Sequence, residues 1–250
     1  KPFGVNVPLL YPQTDEIIDL IIKENIRIVF TSAGDPSKYT DKLKSKGIKV
    51  AHVVSNLRFA LKAEKVGVDA IVAEGFEAGG HNGIEETTTM VLIPTIKAKV
   101  GVPIIAAGGI ASGESMYSAM ALGADGVQIG SLFASSHESS AHDNFKNAII
   151  DASDGSTYLT LKNVVPVRLL RNEFFQRIQS AILEGKDKVT LINILGKGRA
   201  KMGMFEGNLI EGELEVGQIS STIDEKKTVS HIFSDLILQF NKTKDKMDKI

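Results

Sequence analysis

The chain has 250 residues, of which 43% are hydrophobic, so it is long enough to bury one large core, and α/β barrels routinely reach this size as a single domain. Its net charge is −1 with acidic and basic residues interspersed, which argues against a nucleic-acid or anionic-membrane partner. The absence of cysteine excludes disulfides, thiolate metal sites and thiol nucleophiles.

The chain opens with a predicted strand, Phe3–Val7, and shows no charged-then-apolar leader, so we expect a cytoplasmic protein. Further short apolar runs follow, each separated from the next by a helical pattern. They are Arg27–Thr31, Ile48–Val54, Asp69–Ala73, Pro103–Ala107 and Gly126–Ile129. Continuous apolar runs predict strands that are buried on both faces, and their alternation with helices predicts a parallel sheet. Ligands bind at the carboxyl edge of such sheets.

Six βα units do not close an eight-stranded barrel. The sequence therefore predicts an α/β fold, a TIM-type (β/α)8 barrel that lacks its first two βα units. We assign residues 1–152 to the barrel portion (strands three to eight), 153–227 to a subdomain over the barrel rim, and 228–250 to a C-terminal helix with a charged, frayed tail. Within these parts, Glu138–Ala152 and Arg168–Leu183 are predicted to be helices.

One strand-to-helix connection is unusually long, the stretch AEGFEAGGHNGIEE from Ala73 to Glu86. Such connections usually have about 2–6 residues. This one contains Gly79, Gly80 and His81. Because glycine lets the backbone approach a ligand and imidazole titrates near neutral pH, the stretch predicts a binding or catalytic loop. The alternative is a long surface loop with an incidental histidine.

The predicted carboxyl edge of the sheet collects the ends of several strands. The candidate site residues there are Asn6, Gly34, Glu74, Gly79, Gly80, His81, Gly108, Gly109, Gln128, Ile129, Gly130 and Ser131. Backbone amides of the later glycines can converge on a phosphate, although each glycine pair alone is equally a tight turn. Asn6 and Gln128 each donate and accept hydrogen bonds, as a planar heterocycle with alternating N–H and C=O groups requires.

FMN has such a ring and one phosphate, so we predict an FMN site with His81 as the proton donor or acceptor. His52 lies inside a predicted strand and is expected to be a core or lumen residue, while local roles are expected for His137, His142 and His231. The sequence has no GxGxxG after a strand, so a nicotinamide cofactor must dock transiently at the flavin site. No metal site is predicted.

The motifs AEGFEAGGHNG, PIIAAGGIASG and GVQIGSLF, with FGVN upstream and PVRLLRNEF downstream, resemble the flavin-dependent nitronate monooxygenases and type II enoyl-acyl-carrier-protein reductases. The resemblance implies a TIM-type barrel with bound FMN and a catalytic histidine at His81. It also implies FMN contacts at Asn6, Glu74, Gly79, Gly109 and Gln128 to Ser131. Members of this family also begin with a strand and a Gly-Met loop that this sequence lacks, in agreement with the strand count.

The connection from His81 to Met90 is short, as in the reductases. The expected activity is therefore NAD(P)H-dependent reduction of enoyl thioesters in fatty-acid synthesis, with a small-molecule or acyl-carrier-protein thioester as the partner. Homodimerisation is left open. The alternatives are a nitronate monooxygenase that oxidises alkyl nitronates with FMN and O₂, and a non-catalytic phosphate-binding barrel. Arg168 and Arg171 are candidates either for a phosphate contact or for surface charges on a helix.

Overall fold

The computed structural model describes residues 2–249, so Lys1 and Ile250, the outer ends of the predicted domains, lie outside the described residues. The chain forms two compact units, and each is described by itself. Unit 1 consists of the residues up to Glu74, Thr87–Ala107 and Ala119–Gln128. Unit 2 consists of Gly75–Glu86, Gly108–Ser118 and the residues from Ile129 onward. Because the two units alternate along the chain, the sequential three-part division stays a prediction.

The elements are numbered in chain order. The strands are β1 (Gly4–Pro8), β2 (Ile28–Ser32), β3 (Lys49–Val54), β4 (Ala70–Glu74), β5 (Gly80–His81), β6 (Ile104–Ala107), β7 (Gly126–Gln128), β8 (Thr157–Thr160) and β9 (Val167–Leu170). The helices are α1 (Thr14–Lys23), α2 (Thr40–Lys44), α3 (Leu57–Val66), α4 (Thr89–Lys97), α5 (Gly113–Ala121), α6 (Ser131–Ala134), α7 (Asp143–Ile150), α8 (Glu173–Leu183), α9 (Lys188–Leu195), α10 (Arg199–Met204) and α11 (Val229–Met247). Short 3₁₀ helices cover Pro36–Lys38 and Gln218–Thr222.

Unit 1 is built on a six-stranded parallel sheet in the order β1-β2-β3-β4-β6-β7. Its strands are mainly apolar; Ile71, Val72 and Ala73 of β4 are all fully buried. In the part of the chain that the structure describes, β1 pairs only with β2, and β7 pairs only with β6. The prediction of a barrel portion made of six parallel βα strands is therefore confirmed.

Local signals fix where the helices of unit 1 begin and end. The Asn56 side chain accepts a hydrogen bond from Phe59 N–H at 2.9 Å and so caps the start of α3. Gly67 follows the same helix with φ +88, a left-handed conformation that favours glycine. Between 2 and 249 no helix is long and apolar enough to cross a membrane.

Unit 2 contains a three-stranded antiparallel sheet in the order β5-β9-β8 and several helices. One of its cores is formed by apolar residues of β9, α8 and α9, including Leu169, Phe174 and Leu191. A second core gathers Phe145 and Ile149 of α7 with Leu214 and Val216. Strand β5 and helices α6, α9 and α10 are elements that the sequence did not predict.

The structure corrects the predicted helices of unit 2. Arg168–Leu170 belongs to β9 rather than to a helix, because the strand pairs with β5 on one side and β8 on the other. Asn172 then caps α8 by accepting from Phe175 N–H at 2.9 Å. The helix predicted over 138–152 begins only at Asp143, and the tail expected to fray continues α11 as far as Met247.

Candidate active site

The histidine of the long glycine-containing loop lies on strand β5. This strand pairs antiparallel with β9 through Gly80–Arg168 and His81–Val167, and Asn82 N–H donates to Pro166 O at 2.9 Å. Gly80 has φ +80, which only glycine adopts without strain. The exposed His81 side chain is therefore held on paired backbone rather than on a freely moving loop.

The segment Leu214–Gln218 lies against the same loop. Leu170 N–H donates to Leu214 O at 3.0 Å, and Gln218 N–H donates to Glu77 O at 2.9 Å. A Cβ added at Gly79 would lie 2.4 Å from the carbonyl carbon of Val216, a distance that no side chain tolerates. Gly79 is therefore required because two stretches of backbone pass close together there, and this requirement is independent of any ligand.

The glycine pair after β6 joins this cluster. Gly108 and Gly109 have φ +94 and +71, so the chain turns there in a conformation that favours glycine. A Cβ at Gly109 would lie 3.5 Å from Cβ of Glu77, which places the two residues side by side. The turn after β6 and the histidine loop are thus neighbours within unit 2.

Ser131 connects the third glycine segment to the same cluster. Its Oγ accepts a hydrogen bond from Gly217 N–H at 3.0 Å, and a hydroxyl that accepts one bond can still donate another. Gly130, just before it, has open space where a side chain would lie, with no heavy atom within 4 Å of an added Cβ. Gly130 and Ser131 supply the first amides of α6, which have no intrahelical acceptors. These residues fit an anionic group such as a phosphate.

A buried arginine holds the loop from behind. Arg168 is 2% exposed; its Nε and Nη2 donate to Phe76 O at 3.0 and 2.9 Å, and its Nη1 donates to Thr157 Oγ1 at 3.3 Å. Burial lowers the pKa of Arg168, and the charges of Glu77 and Glu86 oppose this shift. Neither predicted role, a phosphate contact or a surface charge on a helix, fits a side chain in this position. The sequence did not indicate this structural role.

Two glutamates beside the loop were also missed. Glu215 pairs with Leu169 in an isolated β-bridge, and its Oε2 lies 2.7 Å from where a Cβ of Gly80 would be. Burial raises the pKa of Glu215, and the nearby His81 ring opposes that rise. Burial raises the pKa of Glu213 to about 7; Glu215 adds to the shift and Arg199 opposes it.

The remaining candidates belong to unit 1. Glu74, Ala107 and Gln128 are paired in one row across β4, β6 and β7, at the carboxyl ends of these strands. Burial raises the pKa of Glu74 to about 7. Asn6 does not end its strand as expected, because β1 continues to Pro8. An added Cβ at Gly34 would lie 2.6 Å from Cβ of Leu9, so close packing accounts for this glycine.

Two of the other histidines have the roles that the sequence predicted: His52 is a core residue and His142 makes a local hydrogen bond. His52 is buried in β3, with Nδ1 at 2.7 Å from Thr31 Oγ1, and burial lowers its pKa to about 4. His142 caps α7 by accepting from Asn144 N–H at 3.1 Å. His231 lies on α11. No group of side chains in residues 2–249 is arranged to hold a metal ion.

The structure thus brings together one set of candidates and keeps a second set within the sheet unit. Unit 2 contains Gly79, Gly80, His81, Gly108, Gly109, Ile129, Gly130 and Ser131. Unit 1 contains Asn6, Gly34, Glu74 and Gln128. Three neighbours of the candidate residues were not selected from the sequence: Glu77 beside Gly109, Glu215 beside Gly80, and Gly217 beside Ser131. No local sequence pattern indicates Glu215 or Gly217, because each reaches the site through a contact with a residue far away in the chain.

The chain is similar to known proteins over most of its length. The family model described as nitronate monooxygenase matches residues 1–239. A probable nitronate monooxygenase of Staphylococcus saprophyticus is 34% identical over 223 residues, which cover 81% of this chain and 62% of that relative. A Mycobacterium tuberculosis indene-carboxyl-CoA dehydrogenase is 26% identical over 278 aligned positions, which cover 95% of this chain and 78% of that relative. The chain therefore spans less than two thirds of the Staphylococcus relative.

The chain is also similar to proteins of known structure. FabK from Thermotoga maritima matches with a TM-score of 0.94 and 40% identity, covering 100% of this chain and 79% of that protein. A nitroalkane oxidase from Streptomyces ansochromogenes matches with a TM-score of 0.81 and 23% identity, covering 99% of this chain and 82% of the other. At that identity the second match supports the fold alone, which is that of a TIM-barrel protein.

Proposed function

This chain belongs to the nitronate monooxygenase family, and from that premise we propose that it is an FMN-dependent oxidoreductase that reduces enoyl thioesters with NAD(P)H. The preference for this reaction over others in the family follows from the match to FabK, which extends over the whole chain at 40% identity. We propose a small-molecule or acyl-carrier-protein thioester as the substrate, and the cytoplasm as the location.

One observation carries the proposal. The exposed His81 ring stands on β5, in the same compact unit as the glycine turn Gly108–Gly109 and the open segment Gly130–Ser131. A titratable ring fixed by backbone pairing next to permissive backbone is what a site for proton transfer at a bound ligand requires.

The residues of unit 2 fit the phosphate of FMN. Gly130 and Ser131 present open space, unused helical amides and a hydroxyl, and Gly108 and Gly109 bring backbone close in a left-handed conformation. Bound FMN supplies hydride-transfer chemistry. The assignment of Asn6, Gly34, Glu74 and Gln128 to the flavin stays a prediction from the sequence.

His81 and Arg168 are the two residues of this chain to which the proposal gives roles in the reaction. His81 donates a hydrogen bond to the carbonyl oxygen of the thioester, which stabilises the negative charge that develops there, or delivers a proton on that side. Arg168 keeps the loop in place through the Phe76 carbonyl, so that the His81 ring does not have to be ordered when substrate binds.

The proposal is tested with the full-length protein. We expect a yellow protein that oxidises NAD(P)H when a crotonyl thioester is supplied. The loss of NAD(P)H absorbance measures this reaction. Oxygen uptake with alkyl nitronates, together with no NAD(P)H oxidation on crotonyl thioesters, would overturn the reductase assignment. A colourless protein that binds inorganic phosphate and catalyses neither reaction would support the non-catalytic barrel instead.

The second candidate function is nitronate oxidation. It is favoured by the matching family model and by the Staphylococcus relative, whose name gives that activity. In this reaction His81 would orient or deprotonate the substrate, and bound FMN would supply the redox chemistry with O₂ as the oxidant. The oxygen-uptake assay above separates the two functions directly.

A further inference from the structure

The side chain of Asn82 makes two hydrogen bonds to the backbone just before it. Its Nδ2 donates to Ala78 O at 2.9 Å and to Gly80 O at 3.0 Å, and we call this pair of bonds the Asn82 bridge. Carbonyl oxygens only accept, so the amide must turn its nitrogen toward them, and both of its N–H groups are then used. All three residues belong to unit 2.

The bond to Gly80 O closes a ring around His81. This ring contains the Gly80 carbonyl, the N, Cα and carbonyl carbon of His81, and Asn82 from its backbone N to Nδ2. The backbone of His81 has two soft dihedral angles, φ and ψ, and a large rotation about either one separates Nδ2 from Gly80 O. The Asn82 bridge therefore fixes the backbone from which the imidazole projects, although neither of its bonds involves the imidazole.

The backbone around His81 has little regular structure of its own. Gly79 and Gly80 precede the histidine, and glycine loses more conformational freedom on folding than any other residue. Strand β5 has only two residues, and one bond extends its pairing with β9, from Asn82 N–H to Pro166 O at 2.9 Å. The Asn82 bridge adds two further bonds to this short segment, and each of them opposes local opening.

Arg168 holds the same loop at an earlier position. Its guanidinium donates to Phe76 O at 3.0 and 2.9 Å. Because the two glycines lie between Phe76 and His81, a contact at Phe76 alone leaves the orientation of the histidine backbone free. Asn82 follows the glycines directly after His81, so its bridge restricts the part of the loop that Arg168 does not reach.

We propose that Asn82 is a positioning residue for His81, whose backbone the Asn82 bridge orders before the thioester binds. The inference rests on the proposed reductase function, in which His81 acts on the carbonyl side of the thioester. A group that is ordered in advance loses no further conformational freedom when substrate binds, and a displacement of about 1 Å can cost about 10²-fold in rate. The effect of Asn82 should therefore appear in the part of the reaction that uses the thioester.

The first test is Asn82→Leu, which keeps a similar shape and removes the donor. In the full-length protein we expect kcat/KM for a crotonyl thioester to fall about 10–100-fold, and kcat/KM for NAD(P)H to stay at the native value. The two constants separate because the nicotinamide and the thioester use the flavin site in turn, and His81 acts only on the thioester.

The matched control is Asn144→Leu. It also removes an amide donor to a backbone carbonyl of unit 2, Gly207 O at 3.0 Å, and it should change neither constant. Native kinetics in Asn82→Leu, or an equal loss in both of its constants, would overturn the proposal.

The second test needs no substrate. Amide hydrogen exchange measures local opening, so the peptide that covers residues 75–86 should exchange faster in Asn82→Leu than in the native protein. The strands of unit 1 should exchange at the native rate in this variant, and residues 75–86 should do so in Asn144→Leu. If residues 75–86 of Asn82→Leu exchange as slowly as in the native protein, the bridge does not order the loop and the proposal fails.

Asn82→Asp provides the same measurement with a polar side chain of the same shape, in case the leucine variant does not fold. Its ionised carboxylate turns acceptors toward two carbonyl oxygens, so residues 75–86 should again exchange faster than in the native protein near pH 7. A protonated carboxyl regains one donor, and aspartate ordinarily protonates at about pH 3.9. The ratio of the variant's exchange rate to the native rate should therefore fall toward acid pH. A ratio that does not change with pH would mean that the donor is not what orders the loop.

The two proposals fail in different ways. If the native protein does not reduce enoyl thioesters, the proposed function fails, while hydrogen exchange still reports whether Asn82 orders the loop. If the protein is an active reductase and Asn82→Leu has the native kinetic constants, only the role of Asn82 is lost.

Discussion

The two units differ in what they bury. Unit 1 buries mainly apolar side chains; its polar side chains with the least exposed surface are threonines and His52, and Glu74 at the end of β4 is also buried enough for its pKa to rise. Unit 2 buries Lys146, Arg168 and Glu213, which are the buried lysine, arginine and glutamate side chains of the described part of the chain. Buried charges are costly unless they are paired or hydrogen-bonded. Unit 1 is therefore stabilised mainly by apolar packing, whereas unit 2 also buries charged side chains, which lower stability unless they are paired.

The largest effect is expected at His81, where the comparison assigns chemistry to unit 2. We expect His81→Gln to lower kcat/KM with the enoyl thioester by about 10²–10⁴-fold, because a positioned acid or base contributes that much. Flavin absorbance and the unfolding midpoint show whether the variant is intact. His231→Gln serves as the matched control, and an equal loss in both variants would remove His81 from the reaction.

The next effect concerns His52, which is buried in β3 of unit 1. Its folded pKa of about 4 lies below the ordinary histidine value of 6.5, so the unfolded chain binds more protons between these values. The native protein should therefore lose on the order of 3 kcal/mol from this group as pH falls from about 6.5 to about 4. Urea unfolding of His52→Gln across this range should show a flatter dependence; an equally steep one would mean that His52 is not the cause.

Glu213 of unit 2 should give the opposite slope. Its folded pKa of about 7 lies above the ordinary glutamate value of 4.5, so the folded protein keeps a proton that the unfolded chain releases. Stability should fall by an amount on the order of 3 kcal/mol as pH rises from about 4.5 to about 7. Glu213→Gln should become progressively more stable than the native protein over this range in urea unfolding. A constant difference would show that the carboxylate finds compensation in the folded state.

The smallest of these effects is expected from the loop-holding arginine. Arg168→Met leaves the Phe76 carbonyl without its two donors, and we expect the free energy of unfolding to fall by about 1–3 kcal/mol. The neighbouring Arg171 is exposed, so Arg171→Met should leave stability unchanged. If both variants behave alike in urea unfolding, buried charge in unit 2 carries no structural role at this position.

The sequence predicted unit 1 well because its signals are local. Apolar runs such as Ile71–Ala73 and end signals such as Asn56 and Gly67 lie within a few residues of the elements that they define. Parallel βα order then follows from alternation along the chain, and the carboxyl-edge row of Glu74 and Gln128 follows from the order.

Unit 2 resisted prediction because its decisive contacts are long-range. Strand β5 has only two residues and is defined by pairing with β9, which itself contains an arginine and lies only two residues before α8. Nothing near Glu215 in the sequence indicates that it faces Gly80. His81 and the glycines could be selected from their residue types. Glu215 and Arg168, which lie beside the loop, could not.

The close passage of Gly79 and Val216 has a consequence for how the protein is made. Chain synthesis proceeds from the N-terminus, so the strands of the parallel sheet have left the ribosome well before residue 216 is added. Until then the histidine loop lacks the segment that packs against it and that supplies the carboxylate. A nascent chain arrested before Leu214 should therefore contain every glycine of the candidate site and still leave the loop open to proteases.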